Sequence, residues 1–200
     1  MKPFLIIFCI CLTNFSYGQF VGTPYIIPSK SSVLEIGDSY QGGVIFYLLK
    51  ATGEKINIGT SSEITYDPLV QHGLIAATEN QGPINWANQS NYTLVGTLKN
   101  RGSGLLNTEK IISKIGSTYA AGLARAYRGG GYTDWYLPSL DELNKLYAIK
   151  NDVGGFGTEI YFWSSSENDS DRAHYLRFDL GTSSHTLKKL SSSVRAIRSF

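Results

Sequence analysis

Residues 131–167 leave a folded chain few choices. They read Gly-Tyr-Thr-Asp-Trp-Tyr-Leu-Pro-Ser-Leu-Asp-Glu-Leu-Asn-Lys-Leu-Tyr and then, after a glycine-rich gap, Tyr-Phe-Trp-Ser-Ser-Ser-Glu. Trp135 and Tyr136 precede a turn at Pro138. Ser139 and Glu142 have the spacing of a capping box, in which the serine oxygen accepts from the backbone N–H three residues on and the glutamate reaches back. Leu140, Leu143, Leu146 and Tyr147 then fall on one face of a helix. Gly154, Gly155 and Gly157 end it, and Tyr161–Trp163 opens a new strand. The pattern predicts strand, turn, capped helix, glycine loop and strand.

The first eighteen residues stand apart. Lys2 supplies a positive start, Phe4–Leu12 is apolar, and Ser16-Tyr17-Gly18 places small residues at a cleavage site. Residues 1–18 are therefore expected to be a secretory signal peptide, cut before Gln19. At about nine residues the apolar run is too short for a bilayer span, which takes roughly 20. Cys9 and Cys11 would leave with the signal, so the mature chain is expected to lack disulfides, thiolate zinc sites and cysteine nucleophiles. The expected product is secreted or held at the cell surface, with no membrane span. Charge is nearly balanced, 18 basic against 16 acidic residues, which gives no reason to expect a nucleic-acid partner.

Residues 19–35 look like an extended arm or linker, with Pro24 and Pro28 around Tyr25-Ile26-Ile27. One domain is expected over 36–200. Its strands are expected at Val44–Leu49, 56–58 and His72–Ala77. Residues 78–104 read as a long irregular loop around Trp86. Thr108–Tyr127 has apolar residues at helical spacing and is expected to be one helix, stopped by Gly129-Gly130-Gly131. After Trp163 the run Ser164–Arg172 is polar. In the strand that follows, Leu176, Phe178 and Leu180 are expected on one face and His174, Arg177 and Asp179 on the other. Gly181–His185 reads as a turn, Thr186–Leu190 as a strand and Ser193–Phe200 as a terminal strand tied into the sheet. The class is α+β, a mixed, mostly antiparallel sheet with two flanking helices and long loops.

Several of these segments together resemble a known family. Gly42–Tyr47, His72–Ala77, Asp134–Ser139, Asp141-Glu142-Leu143, Trp163–Glu167 and Val194–Arg198 are similar in kind and order to the family named for the C-terminal domain of the Legionella collagen-like adhesin. That domain type, of unknown function in many members, is common in secreted proteins of Bacteroidetes-type bacteria. The resemblance covers roughly residues 36–200. It implies a C-type-lectin-like fold, in the branch shared with formylglycine-generating enzymes, and paired chain ends. It also implies an adhesin-like role, binding sulfated glycosaminoglycans or other ligands through the C-terminal half. No collagen-like Gly-X-Y repeat is present, so the namesake's trimeric stalk does not carry over. Formylglycine-generating chemistry needs cysteines that the mature chain would lack.

The residues point to binding more than to catalysis. The histidines are His72, His174 and His185, and no zinc-protease, serine-hydrolase or phosphate-loop motif occurs. Ser164–Ser166 beside Glu167 read as local caps of a strand end, and Asp141 with Glu142 as first-turn helix residues. Calcium is the one cofactor for which the sequence offers candidate ligands. Glu167, Asn168, Asp169 and Asp171 offer oxygens, but calcium takes six to eight and the sugar-binding lectin signatures are missing. A solvated polar loop is the preferred reading, with no metal and no cofactor. Candidate ligand contacts are Asn168, Asp169, Asp171, Arg172, His174, Tyr175 and Arg177, with His185, Lys188 and Lys189 as a second cluster. Tyrosine and arginine anchor interfaces, and rings stack on sugar faces. Lys188, Lys189, Arg195 and Arg198 are the candidate partners for sulfate or carboxylate. The expected partner is an extracellular glycan, such as a sulfated polysaccharide, or a protein. A structural role in a surface assembly is the alternative, and an unrecognised hydrolase stands behind both.

Overall fold

The computed structural model of the protein describes residues 33–50, 54–57, 63–67 and 69–200. The expected signal peptide and residues 19–32 of the expected arm lie outside them. The described part is α+β, with two main sheets, a two-stranded ribbon and four α-helices.

The first sheet contains β1 (Ser39–Tyr40), β2 (Gly43–Leu48), β5 (Gly73–Ala77) and β11 (Ile197–Ser199) in the order β1-β2-β5-β11, antiparallel throughout. Its apolar residues are divided by the twofold period of a strand. Ile45, Ile75 and Ala77 enter a core with Trp86, Trp135 and Trp163. Val44, Phe46, Leu74, Ala76 and Ile197 enter a second core with Tyr136, Leu143, Leu146 and Phe162. Both faces of the sheet are covered, so its central strands read as unbroken apolar runs. The ribbon pairs β3 (Lys55–Asn57) with β4 (Glu63–Thr65).

The second sheet holds β6 (Gly82–Asn85), β7 (Tyr161–Glu167), β8 (Arg172–Arg177), β9 (Thr182–Leu187) and β10 (Ser191–Val194), in the order β6-β10-β7-β8-β9. Its one parallel contact joins β10 to β7. The expected terminal strand is thus two strands in two sheets. Val194 ends β10, Ile197 begins β11, and buried Arg195 and Ala196 carry the chain across. The C-terminus is tied in as expected: Phe200 and Gly73 exchange backbone hydrogen bonds at 3.1 and 3.2 Å.

The expected helix at 108–127 is two helices, α1 (Gly104–Ile115) and α2 (Ala120–Ala126). Gly116 adopts φ +95°, where an L side chain is strained, and breaks the ladder. With α3 (Leu140–Ala148) and the single turn α4 (Lys150–Val153), four helices replace the two expected. The α3 capping box is present, with Ser139 and Glu142 bonded reciprocally. Glu142 does more than close that box. Its Oε2 accepts from Ser139 N–H at 2.7 Å and its Oε1 from Gly102 N–H at 2.8 Å, with Gly104 N–H adding a third backbone bond. One buried carboxylate therefore serves the N-termini of α1 and α3 together. Any Cβ at Gly104 would overlap Glu142 and the Tyr136 ring.

Two further expectations are corrected. Ser164–Ser166 do not turn a strand end; they lie inside β7 and are fully buried. Leu180 does not join Leu176 and Phe178 inside but is 60% exposed, because β8 ends at Arg177 and the chain turns there.

Candidate functional site

Pairing in the second sheet sorts the candidate residues by face. Across β7, β8 and β9, Tyr161 is opposite Arg177 and Thr182, and Trp163 is opposite Tyr175 and Ser184. Directly opposed residues share a face. This face is buried at Trp163 and open at Tyr161, which is 44% exposed. The Tyr161 and Tyr175 rings meet edge to face, centroids 5.5 Å apart. Arg177 lies 5.6 Å from the Tyr161 ring centroid. Its Nε and Nη2 donate to the two oxygens of Asp179 at 3.1 and 2.7 Å. The row Tyr161–Tyr175–Arg177–Asp179 is aromatic, joined by the Arg177–Asp179 ion pair and nearly neutral. Exposed Thr182 and Ser184 flank it on edge strand β9.

A cleft of about 460 Å³ adjoins this row, lined by Lys150, Phe156, Thr158, Glu159, Ile160, Phe178 and Asp179 among others. Asp179 is common to both, and Ile160 precedes Tyr161. Phe156 and Phe178 stack at 4.7 Å. The Phe156 loop is held from behind by Arg195, which is fully buried and, among the described residues, bonded to neutral acceptors. Arg195 donates to Asn80 Oδ1 at 2.9 Å, to the Ala77 carbonyl at 2.5 Å and to the Gly154 carbonyl at 3.1 Å. Its guanidinium stacks 4.1 Å from the Phe156 centroid. Burial lowers the Arg195 pKa to about 10, so it stays cationic at neutral pH.

The expected site residues do not form one patch. Tyr175 and Arg177 belong to the row. His174 alternates to the opposite face, buried, facing His185 across the β8–β9 pair. Asn168, Asp169 and Asp171 form the β7–β8 turn, Arg172 opens β8, and the four largely bond one another. Asp169 Oδ1 accepts from Asp171 N–H at 3.1 Å and from Arg172 N–H at 2.8 Å, and Asn168 donates to Oδ2 at 2.9 Å. Lys189 is exposed and reaches Gln89 at 3.3 Å.

Lys188 is not a surface contact; it is 1% exposed. Its ammonium donates to Glu167 at 2.9 Å, to the Ser170 carbonyl at 2.9 Å and to the Thr93 carbonyl at 3.1 Å, and lies 4.6 Å from the Trp86 ring centroid. Glu167 also accepts from the N–H groups of Val95, at 3.0 Å, and Gly96. Burial alone would push its carboxyl up. The Val95, Lys188 and Gly96 donors outweigh that and hold it below its ordinary range. These contacts fasten loop 93–97 to the sheet and occupy the oxygens that a Glu167–Asp171 calcium site would need. Among the described residues no group of three or more His, Cys, Asp or Glu is placed to hold a metal.

The other expected anion partners are likewise engaged. Arg198 pairs with Asp134 and Gln41 and stacks on Tyr132 at 3.8 Å. The three serine hydroxyls are also used internally. Ser164 donates to the His174 carbonyl at 2.9 Å and Ser166 to the Leu98 carbonyl at 2.8 Å, while Ser165 accepts from Asn107 at 3.1 Å. Trp86, Trp135 and Trp163 are core residues, as expected. Tyr161 and the Phe156–Ile160 cleft were missed. Tyr161 reads as the first residue of an apolar strand, and only the pairing with Tyr175 reveals it as the exposed end of a face.

No protein-family model and no curated protein matches the chain. Among solved structures it is similar to a fimbrial protein from Bacteroides ovatus, at 15% identity and a TM-score of 0.46. The likeness covers 78% of this chain and 43% of that one, less than half of that protein's length. It is too distant to bear on fold family or function. No helix among the described residues is long and apolar enough to cross a membrane.

Proposed function

We propose that this chain is a secreted or surface-displayed binding module of C-type-lectin-like fold, without chemistry of its own. Its contact surface is the open, Tyr161 end of the face that β7, β8 and β9 share with Trp163, together with the adjoining cleft. The observation that carries this reading is the row of exposed Tyr161 and half-buried Tyr175 and Arg177 beside a 460 Å³ cleft. Tyrosine and arginine give large, stiff contact area with polar tips. The family resemblance of residues 36–200 and the signal-like residues 1–18 support the adhesin-like role and its location. The buried hydroxyls of Ser164–Ser166 are committed to structural bonds, which supports the non-catalytic reading.

The ligand is a glycan or a protein surface, and strong anion dependence is not expected. Lys188, Arg195 and Arg198 are committed to internal partners, and Arg177 is neutralised by Asp179. A glycan-array screen at low and moderate salt, with calcium and with chelator, tests this. The reading predicts a hit that survives both chelation and moderate salt. A hit abolished by chelation would restore the calcium reading. Binding confined to sulfated glycans at low salt would place the contact elsewhere, at exposed lysines.

A further inference from the structure

We propose that His174 and His185 form a two-histidine site for a divalent transition-metal ion on the β8–β9 hairpin. The inference is independent of the binding surface above, because the two rings lie on the opposite face of the strands from Tyr175.

The residues are direct partners in the antiparallel pair, where Cβ atoms lie about 5 Å apart. Their ring centroids are 5.7 Å apart and their planes are inclined at 79°. An ion bound about 2.0–2.1 Å from each nitrogen can bridge rings at that separation. His174 is 8% exposed, and its Nε2 is buried with no hydrogen-bond partner among the described residues. Such an atom costs free energy and calls for a reason.

The Ser184 backbone acts on the ring in favour of its charged form. With Nε2 unpartnered, the tautomer that carries its proton on Nδ1 leaves the Nε2 lone pair free for a metal. Burial lowers the His174 pKa, and Lys99 and His185 add to that against the pull of Asp169. The shift is toward the neutral form, the form that ligates a metal.

Among the described residues only two protein ligands meet here, so solvent completes the coordination shell and Cu²⁺ should bind more tightly than Zn²⁺. Lys99 opposes any cation at the site.

The test is calorimetric titration of Cu²⁺ and Zn²⁺ into the full chain, with electron paramagnetic resonance of the Cu²⁺ form. The expected result is one ion with nitrogen couplings from two imidazoles. Affinity should fall at least about tenfold in His174→Gln and in His185→Gln, the smallest loss seen when even an outer-shell partner of a metal ligand is removed. It should rise in Lys99→Met. His185 is exposed, so His185→Gln tests the site without disturbing the core. All variants keep residues 1–32, so any binding by Cys9 or Cys11 cancels in the comparison. No binding, or unchanged binding in His185→Gln, would overturn the proposal.

Discussion

The Lys188 ammonium lies 2.9 Å from the Glu167 carboxylate, with both side chains sealed from solvent at 1% and 3% exposure. The pair joins the residue after β9 to the end of β7 and, through the Val95 and Gly96 N–H groups, to a loop seventy residues earlier. A buried pair is poor evidence of net stabilisation, but removing one partner strands the other charge.

Lys188→Met is therefore expected to destabilise the fold by about 3–5 kcal/mol. Glu167→Gln should cost less than Lys188→Met, because an amide oxygen still accepts from one backbone N–H. Urea unfolding followed by tryptophan fluorescence checks both. Because Lys188 lies over Trp86, Lys188→Met should also change the native emission. A loss under about 1 kcal/mol, the range of exposed pairs, would mean that the pair is open to water.

Glu142 should give the stability curve a slope near neutrality. Burial pushes its carboxyl from an ordinary 4.5 up to about 7, against the pull of the Ser139, Gly102 and Gly104 N–H groups. The folded pKa is above the unfolded one. As pH rises from about 4.5 to about 7 the unfolded chain releases its proton first, so stability falls and then levels off. The shift corresponds to about 3 kcal/mol. Glu167 acts in the opposite sense: its depressed pKa contributes stability that is lost as pH falls below the ordinary glutamate range. Unfolding free energies from pH 4 to 8 should show the fall in the native protein and a flatter profile in Glu142→Gln. An unchanged slope in that variant would assign the effect elsewhere.

Arg195 should govern the cleft from behind. Its three acceptors and the Phe156 ring fit a flat guanidinium, which a lysine cannot reproduce. Arg195→Lys is expected to cost about 1–3 kcal/mol through unmet carbonyls and to raise hydrogen exchange in residues 154–159 more than in β5. Uniform exchange changes, or none, would mean that the loop holds itself.

Legibility followed the range of the interactions. The Ser139–Glu142 box, the Leu140–Leu143–Leu146 face and the strands at Gly43–Leu48 and Gly73–Ala77 are set by neighbours in sequence, and the structure matches them. The second duty of Glu142 at Gly102 and Gly104 spans forty residues and leaves no local mark. The same holds for Lys188, whose neighbour Lys189 looks identical in sequence but is exposed. Lysines are rarely fully buried, and only the contact with Glu167 across the sheet explains this one. The α1–α2 break at Gly116 was readable from Gly-Ser-Thr, but alanine-rich helical spacing on both sides masked it.

The central claim is that ligand contact runs through Tyr161, Tyr175 and Arg177, and one comparison tests it most directly. The glycan or protein identified by array or pull-down is titrated against the native chain, Tyr161→Ala, Tyr175→Ala, Arg177→Ala and a Lys110→Ala control on α1. Each row variant should weaken binding by about 10- to 100-fold, as anchor residues do, with circular dichroism and melting close to native, while Lys110→Ala should bind normally. Full binding by all three row variants would contradict the account and move the contact surface off this sheet.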